Sequence, residues 1–195
     1  MLKKGSGTEE KALSRRLLIG EEEAERVFHH LVESIVKENP TGEDTVLIGI
    51  QSGGAAIAQP LARRLAEKWG REVPLGYLDV AMHRDDIGQR PAPVVHPTHV
   101  PFDVEGKRVI LVDDVLWSGR TTRAALDALT DLGRPRLVEL AVLIDRGHRE
   151  LPIQANYVGK FLEIAPEERI EVIWNEATGQ IQVYLVPNQN NVPQE

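Results

Sequence analysis

Residues 107–122 read Lys107-Arg108-Val109-Ile110-Leu111-Val112-Asp113-Asp114-Val115-Leu116-Trp117-Ser118-Gly119-Arg120-Thr121-Thr122. A continuous apolar run bounded by a basic pair and an acidic pair is the pattern of a strand buried on both faces. From Thr121 to Leu132 the apolar residues recur at helical spacing, and Gly133 ends the helix. The residues between are therefore the loop from a buried strand to a helix N-terminus, the place where open parallel sheets bind ligands. Ser118, Gly119, Thr121 and Thr122 offer backbone N–H groups, hydroxyls and a positive dipole end, which suit a phosphate. Carboxylates beside a phosphate repel it unless they face something else. Asp113 and Asp114 can accept from vicinal ribose hydroxyls and, directly or through water, hold a divalent magnesium ion. A sugar phosphate satisfies both halves of the segment; the competing reading is that the two aspartates only cap the helix.

Outward from this segment, strand and helix patterns repeat. Residues 20–39 carry Ala24, Val27, Phe28, Leu31, Val32, Ile35 and Val36 on one helical face, ended by Asn39-Pro40-Thr41-Gly42. Thr45 to Ile50 reads as a strand, Gln51-Ser52-Gly53-Gly54 as a turn, and the stretch to about Trp69 as a helix. Pro74 to Met82 and Arg136 to Ile144 supply further strands. Residues 83–101, with Pro91, Pro93, Pro97 and Pro101, read as a long loop or a two-stranded flap. After Leu151 the strands shorten, with Ala177-Thr178-Gly179-Gln180 as the turn of a hairpin between Ile170–Trp174 and Ile181–Val186. The expected fold is α/β: a central, mostly parallel sheet with helices on both faces, a flexible flap after the second or third strand, and a small β-rich C-terminal hood over about residues 150–186. One domain over 15–186 is expected, with polar tails at 1–14 and 187–195.

Composition narrows the function classes. The 195 residues, 42% hydrophobic and 27% charged, suffice for one sizeable core. With no cysteine there is no disulfide, thiolate zinc site or cysteine nucleophile, and a reducing cytoplasm is the expected location. No apolar run approaches the roughly 20 residues of a membrane helix. A net charge of −7 disfavours general affinity for nucleic acid, which rests on lysine and arginine neutralising phosphates. The Walker pattern GxxxxGK[ST] and the dinucleotide pattern GxGxxG are both absent.

Val109 to Val115 followed by Ser118-Gly119-Arg120-Thr121-Thr122 resembles the phosphoribosyl-pyrophosphate loop of type I phosphoribosyltransferases. Asp145-Arg146-Gly147-His148-Arg149-Glu150-Leu151-Pro152-Ile153 and His83-Arg84-Asp85-Asp86 narrow the resemblance to the pyrimidine-operon attenuator and uracil phosphoribosyltransferase family, over roughly residues 15–186. The resemblance implies conversion of uracil and phosphoribosyl pyrophosphate to UMP and pyrophosphate, with magnesium on the pyrophosphate. It implies that residues 113–122, including Val115, Leu116 and Trp117, bind the phosphoribosyl group and that Gln51, Ser52, Gly53 and Gly54 contact the pyrophosphate. It further implies that backbone groups around Tyr157 and Val158 read the base, and that the chain forms a homodimer or homotetramer. Many relatives carry an arginine where Gly53 stands, so a direct cation is missing here, and Arg84, in a flap with Asp85 and Asp86, is its natural substitute. The turn glycines also have a simpler use in tight packing. Purine-using relatives keep an acid three residues after Asp114, where Trp117 stands. An indole cannot take a proton from a purine ring, although a tryptophan here also fits ordinary packing.

The resemblance also admits a regulator of a different class, an attenuator that senses UMP and binds RNA of pyrimidine biosynthetic genes. Arg146, His148 and Arg149 are the candidate RNA contacts, in a basic cluster with Arg134 and Arg136. Glu33 and Glu38 stand on the first helix at about the positions where regulators of the family present basic groups, and the chain is acidic, so enzyme is favoured over regulator. Arg26, His29 and His30 offer either a second basic face or a plain solvated helix surface. A third reading is a sensor that binds nucleotide without turnover.

Overall fold

The apolar runs at residues 46–48, 109–112 and 140–144 become three neighbouring strands of one sheet. In the computed structural model, which describes residues 15–85, 95–175 and 177–187, strands β2 (Thr45–Ile50), β3 (Leu75–Leu78), β4 (Arg108–Leu116), β5 (Leu137–Asp145) and β6 (Tyr157–Phe161) form a five-stranded sheet in the order β3-β2-β4-β5-β6. All four pairings are parallel. β2 is buried throughout, and β4 over Val109 to Asp113, as strands covered on both faces must be.

Helices α1 (Glu21–Glu38) and α2 (Gly53–Trp69) cover one face and α3 (Arg120–Thr130) the other. Ala24, Val27, Phe28, Leu31, Val32 and Ile35 of α1 are buried against the sheet, and burying each of the large ones stabilises by about 1.5–3 kcal/mol. Glu21, Glu22 and Glu23 fill its first turn, where carboxylates oppose the helix dipole favourably. On the opposite face Ala124, Ala125, Ala128 and Leu129 of α3 pack on Val109, Leu111, Leu140 and Val142.

A second sheet, antiparallel and ordered β1-β8-β7, joins β1 (Arg16–Ile19), β7 (Glu168–Asn175) and β8 (Gln180–Pro187). The expected hairpin is present, with Trp174 opposite Ile181. Two expectations need correction. The hood recruits β1 from the other end of the chain, through Arg16 opposite Leu185 and Leu17 opposite Tyr184. And β6, read as the start of the hood, is the edge strand of the main sheet. A four-residue strand has too little periodicity to be seen, and Tyr157 to Phe161 is too mixed in polarity to declare which sheet it joins.

Downstream of β3 a single helical turn, Ala81–His83, leads toward the flap. Residues 86–94, with Asp86 among them, lie outside the described part of the chain. The return segment runs antiparallel beside β3, where Tyr77 and His99 exchange both backbone hydrogen bonds at 2.8 Å.

Candidate active site

Strand order fixes where the site is. From β2 the sheet grows through β3 in one direction and through β4 in the other, so the loops after β2 and β4 diverge and leave a crevice at the carboxyl ends of adjacent strands. Gln51 to Gly54 lines one side and Asp113 to Thr122 the other. The approach is close: a Cβ on Gly53 would lie 2.3 Å from Oδ2 of Asp114, and one on Gly54 would lie 2.1 Å from the carbonyl oxygen of Val112. A side chain at Gly54 would thus meet backbone and one at Gly53 would have to displace the Asp114 carboxylate, and the peptide between Gln51 and Ser52 is cis.

Asp113 is only 7% exposed and Asp114 is half-buried. The amide of Asp114 donates to Oδ1 of Asp113 at 2.9 Å, and the amide of Val115 donates to Oδ1 of Asp114 at 2.8 Å. Burial, with the adjacent Asp114 charge, holds the Asp113 carboxyl well above its ordinary 3.8, although Arg84 pulls the other way. Burial also raises Asp114, against hydrogen bonds from Asp113 and the Val115 amide. Two adjoining buried carboxyls therefore retain a proton beyond the usual carboxylate range, with Asp113 as its holder.

The pH dependence follows with a definite sign. A carboxyl whose folded pKa is raised binds more protons in the native state, so its contribution to stability is full below about the unfolded 3.8 and is lost as pH rises through the folded titration. Asp113→Asn removes that decline. In thermal melts of ligand-free protein between about pH 5 and 8, the melting temperature of the variant is expected to gain on the wild type as pH rises; parallel curves would contradict the proton assignment.

Opposite the acids, α3 begins at Gly119, which has φ 91° and supplies no side-chain cap. A side chain at Gly119 would also crowd Ile153, 3.2 Å from its Cβ. The hydroxyl oxygen of Thr122 is buried in the first turn without a hydrogen-bond partner. Apart from a long 3.4 Å contact from the Arg120 amide to the Ser118 hydroxyl, this helix start has no side-chain cap, and with its orphaned hydroxyl it can take an acceptor from outside the chain, which an anion fits. Arg84 Nη1 reaches the hydroxyl of Thr121 at 3.3 Å, which places the flap arginine between the anion cradle and the acid pair. Arg120 points to the rim, where Nη1 donates to Asp85 at 2.6 Å and Nε to Glu150 at 2.7 Å. Arg123 adds a hydrogen bond to the carbonyl of His83 at 2.8 Å. The first flap residues are thus docked on the start of α3. Glu150 stood in the sequence run that marked the family, but nothing in its spacing announced Arg120 as its partner.

The remaining candidates fall in less expected places. Tyr157 is 3% exposed in the core beneath the sheet, its hydroxyl donating to Glu139 at 3.0 Å, and Val158 packs on the α3 side. Burial and the Glu139 contact push the Tyr157 phenol above its usual value. Neither side chain lines the crevice, which leaves only their backbone groups for a base. The expected basic face of Arg146, His148 and Arg149 is not formed either. Arg146 is 2% exposed, and Arg149 turns inward to Asp145 Oδ2 at 2.5 Å and to the carbonyls of Ile153 and Trp117. Of the three only His148 is exposed, with Nε2 2.9 Å from the carbonyl oxygen of Ile164. Backbone carbonyls of the neighbouring segments consume the arginines that composition alone would assign to a surface.

No cluster of three or more metal-ligating side chains occurs among the described residues. For magnesium this is no obstacle, because the ion is commonly held by one or two carboxylates with substrate phosphates and water completing its shell. The acid pair fits that habit, since adjoining buried carboxyls that share a proton would be relieved by a divalent cation.

A family model of the phosphoribosyl transferase domain matches residues 19–177. Two curated relatives, each called bifunctional protein PyrR, come from Roseiflexus sp. (strain RS-1), 46% identical over 176 residues, and Thermus aquaticus, 48% identical over 171. These alignments cover 89% and 86% of this chain and 96% and 93% of the relatives. Among solved structures, Trypanosoma cruzi hypoxanthine phosphoribosyl transferase superposes with a TM-score of 0.65 at 21% identity, covering 87% of this chain and 91% of that one. A Staphylococcus aureus hypoxanthine phosphoribosyltransferase gives 0.63 at 21% identity, with 85% of each chain covered. At that identity the two structures speak for the fold alone. No helix among the described residues is long and apolar enough to cross a membrane. The long matches to PyrR proteins, together with an acid pair facing an uncapped helix start at the switch point of a parallel sheet, establish that the chain belongs to the PyrR family of phosphoribosyltransferases and has the type I fold.

Proposed function

We propose that the chain is a magnesium-dependent uracil phosphoribosyltransferase that makes UMP and pyrophosphate from uracil and phosphoribosyl pyrophosphate. The observation that carries this reading is the pairing, in one crevice, of Asp113 and Asp114 with the orphaned Thr122 hydroxyl at the start of α3. The 5′-phosphate is held by the amides of the first turn with the hydroxyls of Ser118, Thr121 and Thr122. The acid pair accepts from the ribose hydroxyls. Gln51 to Gly54 hold the pyrophosphate through backbone groups. A bound magnesium ion would neutralise leaving-group charge.

As the bond from ribose C1 to pyrophosphate breaks and the bond to the uracil ring nitrogen forms, positive charge grows on the ribose. The chain's part is to position both reactants and stabilise charge, which needs no nucleophilic side chain. UMP formation should require both substrates and stop when a chelator removes magnesium. A full rate in chelator, or no UMP under any condition, would count against the reading.

With glycine at position 53, Arg84 is the cation that meets the leaving group. Loss of a charge-assisted hydrogen bond is worth about 1.5–3 kcal/mol, or roughly 10- to 100-fold in affinity. Arg84→Ala is therefore expected to raise the inhibition constant for pyrophosphate by about tenfold or more. Unchanged pyrophosphate inhibition would reject the role.

The relatives' name, bifunctional, favours a second activity alongside the first: UMP-dependent binding of RNA from pyrimidine genes. With Arg146 and Arg149 engaged internally, the exposed basic candidates that remain for it are Arg134, Arg136 and His148, and Arg26, His29 and His30 of α1 beside the Glu33–Lys68 ion pair. In this reading the reaction runs in the cytoplasm, in a dimer or tetramer of identical chains.

A further inference from the structure

Among the described residues Arg146 is the largest side chain that the fold buries almost completely. Such a cation ordinarily has a carboxylate in direct contact, yet among the described residues none forms an ion pair with it, and the Glu168 carboxylate acts on it only through space. Nη1 donates to the carbonyl of Glu168 at 2.7 Å and Nη2 to that of Ala165 at 3.1 Å, both at the entry to the hood strand β7. Nε is buried without a partner. The guanidinium carbon lies 4.7 Å from the ring centroid of Trp117, and the Arg146 amide donates to the carbonyl of Leu116 at 3.0 Å. Arg149 secures the same residue from the other side, through Nη1 to the Trp117 carbonyl at 2.8 Å. A buried guanidinium with one unmet donor is a poor way to stabilise a fold. Its geometry serves another end, because a planar fork that spans two carbonyls can lie flat on an indole, as an ammonium cannot.

We propose that Arg146 is a positioning residue for the transferase reaction: it ties the hood to the phosphoribose loop and fixes the Trp117 indole as the wall against which the acceptor base lies. This rests on the uracil phosphoribosyltransferase reading and adds a determinant of base selection to it. The hood entry, the loop after β5 and the loop after β4 converge on this one side chain, so the indole and the hood move together. Arg146 acts through Trp117, without touching substrate.

The test is steady-state kinetics and indole emission of the full-length protein with Arg146→Met, Arg146→Lys, Trp117→Phe and the double variant Arg146→Met/Trp117→Phe. Arg146→Met is expected to raise KM for uracil about tenfold while KM for phosphoribosyl pyrophosphate stays within about twofold. Arg146→Lys keeps the charge but not the fork and should leave KM for uracil raised. Trp117→Phe should show the same split, and the double variant should be no worse than the poorer single, as for two residues acting as one unit. Where Arg146→Met folds poorly, the proposal is still scored by Trp117→Phe and Arg146→Lys, which do not depend on it. Additive effects, or a rise in both KM values that merely tracks lost thermal stability, would overturn the proposal. Failure of the uracil reading looks different, with no turnover by the wild type. The coupling is then scored by Trp117 emission, obtained by difference from Trp117→Phe, on adding phosphoribosyl pyrophosphate and magnesium. A response in the wild type that disappears in Arg146→Lys supports it; a response retained, or absent from the wild type, overturns it.

Discussion

Asp114→Asn is expected to lower kcat/KM for UMP synthesis by about 10²–10³, a loss of roughly 2.7–4 kcal/mol of transition-state stabilisation, with the fold intact. Asparagine keeps the size of the side chain and the acceptor for the Val115 amide but removes the charge that ribose hydroxyls and magnesium use. Asp113→Asn should be equally inactive yet no less stable, because burial already disfavours the Asp113 charge in the native protein and asparagine removes it. Stability and activity therefore part company at this pair. A double asparagine variant with unaltered substrate affinity and turnover would show that the aspartates only cap α3. Initial rates with thermal melts of the same preparations separate the two readings.

The two glycines of the β2 loop should separate in the opposite sense. At Gly54 an added Cβ meets backbone, 2.1 Å from the Val112 carbonyl oxygen and 2.9 Å from the Asp113 Cα. Neither atom can move without shifting β4, so Gly54→Ala is expected to destabilise by about 1–3 kcal/mol or more, as overpacking does. At Gly53 the obstacle is the Asp114 carboxylate, the end of a short side chain that can rotate away. Gly53→Ala should thus leave the melting temperature nearly unchanged and lower kcat/KM by about tenfold through displacement of Asp114, a loss near 1.4 kcal/mol. Gly53→Arg restores a cation common among relatives, yet it carries the same Cβ and should also lose activity. If Gly53→Arg were instead faster than wild type, Asp114 would have to accommodate the side chain without losing its place, and the contact described here would have no functional weight.

How much of this was legible in the sequence depends on the range of the signal. β2, β4, α1 and α3 announce themselves through apolar runs and helical periodicity, and the loop from Asp113 to Thr122 declares its chemistry through residue types that few other sites combine. These are local patterns, in which each side chain's environment is set by neighbours within a turn or two. Partnerships across the chain are a different matter. That β1 pairs with β8, that β6 joins the parallel sheet, and that Arg120 meets both Asp85 and Glu150 depend on separations of 16 residues or more. Arg146 and Arg149 misled for the same reason: composition counts them as surface cations, whereas the fold turns them toward backbone carbonyls of the hood entry and of the loop after β4. Trp117 lay between these cases. Its place in the motif argued against purines from sequence alone, while the guanidinium stacked on it emerged only with the fold.

Base selection is where the reading is most exposed, since hypoxanthine phosphoribosyltransferases share this architecture. The deciding measurement is nucleotide formation from an equimolar mixture of uracil, orotate, hypoxanthine and guanine, with phosphoribosyl pyrophosphate and magnesium, resolved by product. UMP as the dominant product, formed at a rate that falls in Asp114→Asn, is the expected result. Preferential formation of a purine nucleotide or of orotidine monophosphate, or no product despite tight binding of UMP, would contradict it; the last of these would mark the chain as a nucleotide sensor.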